Sequence, residues 1–191
     1  MYKRQGIDLS LYPLAEQRAK DLVFLGRIHP DKGVHLAIEA ARLCQHRLLI
    51  AGIIQDEGYF RREVEPHIDG KKVRYLGPVG IDGKNELFAQ ADALLHLNTI
   101  PERFGLVLAE ANAAGVPVIA MDLGSCREVI ADGKSGFLVQ NVQEAAAAVC
   151  RINEIDRRQC REHVQSRFSI ETMIDGYERV YDMILRARRQ N

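Results

Sequence analysis

The sequence predicts an α/β protein in which helices cover both faces of a doubly wound parallel sheet. The first observation is a set of short apolar runs, several of which end at a glycine: residues 21–26, 47–52, 72–77, 91–97, 116–121 and 136–139. The second observation is that segments with helical spacing lie between these runs. Strands that are apolar on both faces and alternate with helices are typical of a Rossmann-like domain.

The predicted helices are segments 34–43, 59–68, 84–90, 105–114, 142–152 and 169–187. The last of them carries an apolar stripe that we expect to pack against the rest of the chain, made of Met173, Ile174, Tyr177, Val180, Tyr181 and Ile184. Ser169, directly before the stripe, suits an N-cap. We therefore divide the chain into an approach segment (1–20), an α/β domain (21–168) and a C-terminal helix (169–191), whose final RARRQN is interpreted as a solvated tail.

Composition excludes several classes of partner. The chain has 191 residues, and its 26 Lys and Arg residues balance its 26 Asp and Glu residues. With a formal net charge of zero, no overall field attracts nucleic acid or an anionic membrane surface, so any anion site must be local. No apolar run approaches the roughly 20 residues of a membrane span, and residues 1–10 lack the apolar core of a signal peptide. We predict a cytoplasmic protein without a transmembrane segment.

The cysteines and histidines do not form a metal motif. Cys44, Cys126, Cys150 and Cys160 are far apart and form no C-x-x-C pair, so we interpret them as reduced, mostly packing residues. No H-E-x-x-H motif is present, nor a D-x-D pair that would hold a divalent ion against a diphosphate. The sequence therefore predicts neither a metal site nor a cofactor.

The first candidate site is the loop GRIHPDKG (26–33), which lies between a predicted strand and a predicted helix. Ligands of open α/β sheets bind at the carboxyl ends of the strands, where such loops lie. Arg27 can give bidentate contacts to a diphosphate and Lys32 a point charge. The alternative is that both are surface charges paired with Asp31 and its neighbours. Spacing alone does not decide between the two interpretations.

The second candidate site is PERFGLVLAEANAAGVPVIA (101–120). Pro101 fixes the backbone, Gly105 has no side chain to block a ligand, and a helix beginning near Leu106 would point unpaired N–H groups at an anion. Glu102 would project into the crevice, and Glu110 lies on the same helix face as Leu106.

Carboxylates do not bind a diphosphate, but they accept hydrogen bonds from sugar hydroxyls. The two glutamates therefore predict one carboxylate for each sugar of a nucleotide-sugar. The alternatives are helix capping or dipole compensation for Glu102, and an exposed position or a buried ion pair for Glu110.

Six motifs follow one another between residues 26 and 139: GRIHPDKG, VRYLGPV, ADALL, ERFGLVLAEA, ANAAGVPVIA and EVIADGKSGFLV. In this order they resemble the signature set of the retaining GT-B glycosyltransferases of glycosyltransferase family 4. QGIDLSLYP (5–13) is similar to the linker motif of that family, with Tyr12 in place of the usual Phe.

The resemblance implies one half of a GT-B fold. In that family the first Rossmann-like domain binds the acceptor and the second binds the nucleotide-sugar donor. This chain matches only the second, so the N-terminal acceptor-binding domain is the expected missing partner.

The resemblance also implies roles for particular residues. Arg27 and Lys32 would bind the diphosphate of a UDP-, GDP- or ADP-linked donor, and with Glu102, which would contact the transferred sugar, they form the expected catalytic group. Glu110 would bind the ribose. The remaining expected donor-binding residues are Gly26, Gly77 and Val79 near the nucleoside, and Phe104, Gly105, Leu106 and Val107 at the distal phosphate. The implied transfer retains anomeric configuration and needs no metal.

Some positions depart from the family pattern. Arg103 stands where Gly or Pro is frequent, LNTIP replaces a proline-serine segment, and Asn112 replaces an apolar residue, which leaves the identity of the sugar open. We interpret His96 as a satisfied strand-end histidine rather than a general base. Gly124 and Glu128 lie in a loop that is expected to rim the sugar site.

Two other functions are considered. The chain could be a stand-alone nucleotide-sugar-binding or regulatory module that transfers nothing. A dinucleotide-dependent dehydrogenase is disfavoured, because no G-x-G-x-x-G follows any predicted strand.

Overall fold

The computed structural model describes residues 5–17 and 19–189, without the side chains of residues 188 and 189. At its centre is a parallel sheet of six strands in the order β3-β2-β1-β4-β5-β6. The strands are Asp21–Leu25 (β1), Arg47–Ala51 (β2), Val73–Tyr75 (β3), Ala91–His96 (β4), Val118–Met121 (β5) and Gly136–Val139 (β6). All five pairings are parallel, so the carboxyl ends of the strands share one edge of the sheet. The predicted Rossmann-like fold is confirmed.

Eight α-helices lie within the described residues: Val34–Leu43 (α1), Glu57–Tyr59 (α2), Ile81–Gln90 (α3), Leu106–Ala113 (α4), Cys126–Val129 (α5), Val142–Cys150 (α6), Arg157–Phe168 (α7) and Ile170–Arg189 (α8). In the part of the chain described, none of them is both long and apolar enough to cross a membrane.

The helices cover two apolar layers, one on each face of the sheet. On β1 the buried side chains alternate: Leu22 and Phe24 belong to the layer under α1 and α6, whereas Val23 belongs to the layer under α3 and α4. Burial on both faces explains why the strand sequences are continuously apolar rather than alternating.

The predicted strands are all present, with ends that differ by up to two residues. β5 begins at Val118 rather than at residue 116, because Pro117 has no backbone N–H to donate to the ladder, although its carbonyl accepts from Leu94 N at 3.0 Å. α1 has the predicted bounds. Ser169 caps α8 as predicted, since its Oγ accepts a hydrogen bond from Thr172 N at 3.1 Å.

One predicted helix is irregular, and two helices were missed. Instead of a helix over 59–68, α2 runs into a π-helical turn (Phe60–Val64) and a 3₁₀ turn (Glu65–His67), because Pro66 cannot continue the α-helical hydrogen bonds. The missed helices are α5, which has only four residues, and α7. The buried residues of α7 are Arg157, Cys160, Val164 and Phe168, which have helical spacing, but only Val164 is aliphatic and the rest of the helix is polar or charged.

The packing interpretation of the C-terminal stripe holds only in part. Met173, Tyr177 and Val180 are half-buried, whereas Ile174, Tyr181 and Ile184 are 46%, 61% and 49% exposed. The stripe is amphipathic, as its spacing indicates, but half of its residues are exposed among the described residues. Among the described residues the cysteines form no disulfide; Cys126 and Cys160 are buried, whereas Cys150 is exposed.

Arginines of α7 hold the approach segment to the domain. Arg161 donates from Nη1 to the carbonyl of Tyr12 at 2.6 Å and to that of Ala113, and from Nη2 to the carbonyl of Leu9 at 3.1 Å. The described part of the segment is also fixed by Ala15 N, which donates to Ala114 O at 2.9 Å. Residues 1–4 and 18 of the predicted segment, and residues 190 and 191 of the predicted C-terminal helix and tail, lie outside the described residues.

We predict that Arg161→Ala lowers the free energy of unfolding by about 2 to 4 kcal/mol, because it removes the side-chain donor of three carbonyls, two in the approach segment and one at the end of α4. Urea denaturation with an unchanged slope measures this. The control is Arg158→Ala on the same helix, whose exposed pair with Glu16 is expected to contribute less than about 1 kcal/mol. Equal losses in the two variants would contradict the bridging role of Arg161.

Candidate functional site

The main cleft of the structure opens at the carboxyl ends of β1 and β4, which are neighbours in the sheet. The chain leaves β1 and β4 toward opposite halves of the sheet, and such a switch point is where open α/β sheets bind ligands. The cleft has a volume of about 800 Å³. Its lining includes the loops after both strands and the beginning of α4.

The loop after β1 is pinned to the segment after β4. Gly33 has a φ of 64°, and a Cβ atom there would lie 1.9 Å from the carbonyl oxygen of Leu97, so only glycine allows this approach. Thr99 N donates to Asp31 O across the same contact at 3.0 Å. The loop therefore holds a fixed position beside the cleft.

Arg27 and Lys32 both line the cleft, as the sequence predicts. Arg27 is exposed and hydrogen-bonds through Nη1 to the side-chain oxygen of Gln55. Lys32 Nζ lies 2.5 Å from Oε2 of Glu102. Asp31 contacts His29 instead, at 3.2 Å. Among the described residues neither cation pairs with Asp31, so the alternative in which Asp31 neutralises them is wrong.

Glu102 is the most heavily bonded carboxylate of the cleft. Oε2 accepts from Lys32 and from Asn98 Nδ2 at 2.8 Å, and it lies 3.3 Å from Nε2 of His96. Oε1 accepts from the backbone N–H of Arg103 at 3.0 Å. The contact with His96, followed by Lys32, Arg103 N–H and Asn98, outweighs burial and holds the pKa of Glu102 far below its usual range. Glu102 is therefore ionised at neutral pH.

His96 lies at the buried end of β4, as predicted, and it also reaches the site. Its side chain is 5% exposed, and burial lowers its pKa although Glu102 opposes that shift. The ring is therefore neutral at neutral pH and supplies little charge to the cleft.

The first turn of α4 closes one side of the cleft. Gly105 caps the helix with a φ of 76°, and a Cβ atom there would lie 2.8 Å from Cδ1 of Leu108 and 3.1 Å from Cγ of Glu102. Phe104, Gly105, Leu106 and Val107 all line the cleft. The first N–H groups of a helix have no intrahelical acceptor, so this terminus can bind an anion.

A second compartment of about 450 Å³ adjoins the cleft and shares Gly26, Arg27, Leu106 and Val107 with it. Its lining includes Val79, Lys84 and Glu110. Lys84 Nζ lies 2.8 Å from both carboxylate oxygens of Glu110.

Tyr12 also contacts Glu110. Burial, followed by the hydrogen bond with Glu110, raises the pKa of the Tyr12 phenol above its usual range. Glu102 lines the main cleft, whereas Glu110 lines the second compartment. Each of the two glutamates is paired with its own lysine.

Several sequence-predicted residues lie outside the cavity walls. Gly77 borders the second compartment without lining it; its carbonyl accepts from Gly52 N at 2.9 Å. Glu128 lines neither compartment. Gly124 supports Glu102 from behind, since a Cβ atom there would lie 2.3 Å from the Glu102 carbonyl oxygen.

Asn112 is a structural residue. It is fully buried on α4 and donates to the carbonyls of Val116 and Ser135 at 3.0 and 2.9 Å, so its departure from the family pattern does not bear on the sugar. Arg103 is exposed and lines the cleft.

The sequence analysis missed two residues that contact the glutamates: Asn98, which contacts Glu102, and Lys84, which contacts Glu110. A signal for Asn98 was present, because polar residues at 96 and 98 interrupt an otherwise apolar strand end. Lys84 gave no such signal, since one lysine on a polar helix resembles any surface lysine. Within the described residues, no three His, Cys, Asp or Glu side chains are grouped to hold a metal ion.

Three comparisons bear on this geometry. The glycogen synthase of Mycobacterium tuberculosis is 29% identical over 204 residues, which cover 98% of this chain and 49% of that protein. The chain thus spans about half the length of this curated relative.

The solved structures show the same fold. Anabaena HepE in complex with UDP-glucose matches with a TM-score of 0.80 at 23% identity, over 93% of this chain and 56% of that one. The C-terminal domain of the group 1 glycosyl transferase LpcC from Francisella tularensis matches with a TM-score of 0.74 at 22% identity, over 86% of this chain and all of that one.

The model of the family described as glycosyl transferases group 1 matches residues 13–167. That match covers most of the chain, including the strands, the loop that carries Arg27 and Lys32, and the two glutamates of the site. The chain belongs to the glycosyl transferases group 1 family.

Proposed function

We propose that this chain is the donor-binding part of a retaining glycosyltransferase, which moves a hexose-type sugar from a nucleoside diphosphate to an acceptor. The observation that carries the proposal is the switch-point cleft, where two cations, a helix N-terminus and two separately paired glutamates are arranged along two connected compartments. A nucleotide-sugar has the matching order of groups: a nucleoside, a diphosphate and a sugar. The UDP-glucose in the Anabaena HepE complex supports the same class of ligand.

The diphosphate is assigned to the junction of the two compartments, which Arg27 and the start of α4 share. Arg27 can bind phosphate oxygens in a bidentate manner, and the N–H groups at Phe104–Val107 add the positive end of the helix. Lys32 Nζ carries three donors, so it can contact Glu102 and a phosphate at the same time.

The nucleoside is assigned to the second compartment. Glu110 accepts hydrogen bonds from the ribose hydroxyls, and the ion pair with Lys84 holds its carboxylate in place. Gly26, Gly77 and Val79 border the space for the base. No charged side chain is assigned to the base itself, so uridine, guanosine and adenosine are all considered as donor nucleosides.

The sugar is assigned to the main cleft beside Glu102. When the bond between the anomeric carbon and the diphosphate breaks, negative charge develops on the leaving phosphate, and Arg27, Lys32 and the α4 terminus stabilise that charge. Glu102 acts electrostatically and by positioning, because three groups already contact its Oε2. The acceptor attacks the anomeric carbon from the same face from which the leaving group departs, so the anomeric configuration is retained. The proposed step uses no metal.

The acceptor is assigned to an N-terminal domain facing the cleft. The glycogen synthase of Mycobacterium tuberculosis has as much chain again beyond the matched part, and α8 presents an apolar stripe that the described residues leave exposed. A facing domain would exclude water and hold the acceptor at the anomeric carbon. A cytoplasmic location stays a prediction.

We predict that Arg27→Ala and Lys32→Ala each weaken the binding of UDP, GDP or ADP by roughly 10- to 150-fold, because charge-assisted hydrogen bonds are worth about 1.5 to 3 kcal/mol. Titration calorimetry on the folded variants measures the affinity. Arg42→Ala and Lys71→Ala, exposed cations outside both compartments, serve as matched controls. Unchanged affinity in both test variants would remove the diphosphate assignment.

The two glutamates are expected to separate by ligand. Glu110→Gln weakens the nucleoside diphosphate itself, by roughly 5- to 15-fold, since a hydrogen bond to a neutral amide oxygen is weaker than one to a carboxylate by about 1 to 1.5 kcal/mol. Glu102→Gln leaves that affinity within about twofold and removes only the additional contribution of the sugar, measured as the ratio of UDP to UDP-glucose dissociation constants. If both variants weaken UDP equally, one carboxylate per sugar is the wrong assignment.

The 191-residue chain alone should bind a nucleoside diphosphate in the presence of a chelator and transfer no sugar. The solved C-terminal domain of LpcC supports the use of such a domain in isolation. Sugar transfer is assayed with and without an acceptor domain from a group 1 relative joined ahead of Gly6. Transfer by the bare chain would contradict the need for an acceptor domain.

Two further outcomes decide between functions. If the chain joined to an acceptor domain binds a nucleotide but transfers no sugar, the alternative of a regulatory module is favoured. Absence of nucleotide binding would overturn the donor-domain proposal.

A further inference from the structure

The two oxygens of the Glu102 carboxylate have different surroundings. Among the described residues Oε1 accepts one hydrogen bond, from the backbone N–H of Arg103. Oε2 is contacted by Lys32, Asn98 and His96, all within 3.3 Å. Oε2 is therefore used by the protein, and Oε1 keeps capacity to accept a hydrogen bond from a ligand.

Asn98 supplies the neutral donor of this group. Its side chain is 1% exposed, it lines the cleft, and Nδ2 donates to Oε2 at 2.8 Å. The amide cannot be reversed, because its oxygen would then face a carboxylate oxygen. The backbone on both sides is fixed, since Leu97 packs on Gly33 and Thr99 N bonds to Asp31 O.

The oxygen of the Asn98 amide destabilises the fold, and the hydrogen bond that its N–H group donates must offset this loss of stability. Asn98 Oδ1 is buried and has no hydrogen-bond partner within the described part of the chain. A buried acceptor without a donor destabilises a fold by about 1 to 3 kcal/mol, so an apolar side chain would be more stable at this position.

We propose that Asn98 is a positioning residue, which fixes Oε2 of Glu102 and leaves Oε1 to accept a hydroxyl of the transferred sugar. The inference rests on the proposed function, because it needs Glu102 to bind that sugar. Lys32 supplies the charge of the pair, but a lysine on a flexible stem does not fix the plane of a carboxylate. A planar amide on a rigid segment does.

The variant Asn98→Asp tests this with almost no change of shape. It replaces the N–H donor by a second carboxylate, and two carboxylates at one site share a proton with one strongly raised pKa. At pH 8 both are ionised and repel, so UDP-glucose should lose at least about fivefold in affinity relative to UDP. Toward pH 5 a shared proton restores a donor to Oε2, and the affinity for UDP-glucose should recover.

The parent chain defines the baseline of this pH profile. The titratable or charged groups that face Glu102 are Lys32, His96, Arg103 and Cys126. Burial raises the pKa of Cys126 to about 11, so the thiol stays neutral between pH 8 and 5. Burial lowers the pKa of His96, and protonation of its ring would occur in the parent as well, so the recovery of Asn98→Asp is measured against the UDP-glucose profile of the parent.

Two more variants make the test specific. Asn98→Ser is neutral and too short to reach Oε2, so it should show the same loss for UDP-glucose over UDP without recovery at low pH. Asn85→Asp is the matched control, because Asn85 also donates its amide, to Leu11 O at 2.9 Å, but lines neither compartment. It should leave both the affinity ratio and the pH profile unchanged.

The outcomes separate the two levels of inference. The same titrations are run with GDP and GDP-glucose and with ADP and ADP-glucose, to cover the open choice of base. If Glu102→Gln leaves every sugar contribution unchanged, the proposed function of Glu102 fails. Suppose that Glu102→Gln removes that contribution but Asn98→Ser and a folded Asn98→Asp do not; the positioning role of Asn98 is then wrong. It is also wrong if the two Asn98 variants weaken the nucleotide and the nucleotide-sugar equally.

Discussion

The ion pair between Lys32 and Glu102 joins the loop after β1 to the loop after β4, and the rest of the site is arranged around it. The two side chains are 18% and 14% exposed, so both charges are largely withdrawn from water. Such a pair stabilises a fold only when further hydrogen bonds satisfy the remaining atoms. Here Asn98 and the Arg103 N–H group do so. The close packing of Gly33 on Leu97 keeps the two loops at the required distance.

A second consequence is the distribution of charge along the cleft. Each glutamate is paired with its own lysine, Glu102 with Lys32 and Glu110 with Lys84, so each carboxylate has a counter-charge beside it. Within the described residues Arg27 forms no ion pair, and it stands where the two compartments meet together with the N-terminus of α4. The positive potential is therefore local, in a chain whose formal net charge is zero.

The two ends of the described chain differ in how they are bound. The approach segment is held by carbonyl contacts from Arg161 and by Ile7 N, which donates to Phe168 O at 2.7 Å. α8, in contrast, leaves much of its apolar stripe in solvent. Periodicity in the sequence predicted an amphipathic helix, but it does not specify the surface that an apolar face contacts. The packing of α8 was therefore one part of the fold that sequence reasoning could not decide.

The sequence by itself determined the six strands, most of the longer helices, and the loops that carry Arg27, Lys32, Glu102 and Glu110, because these follow from local periodicity, glycines and motif order. It did not determine α7, whose core contacts include a buried arginine, or the irregular stretch through Pro66. Only the tertiary structure decided the partners of the site residues: Lys32 and Asn98 for Glu102, and Lys84 for Glu110. The physical reason is that Lys32 and Lys84 lie on other elements than their glutamates, and strand order and register bring them together. The Asn98 contact depends on the fold of the segment after β4, which no local pattern encodes.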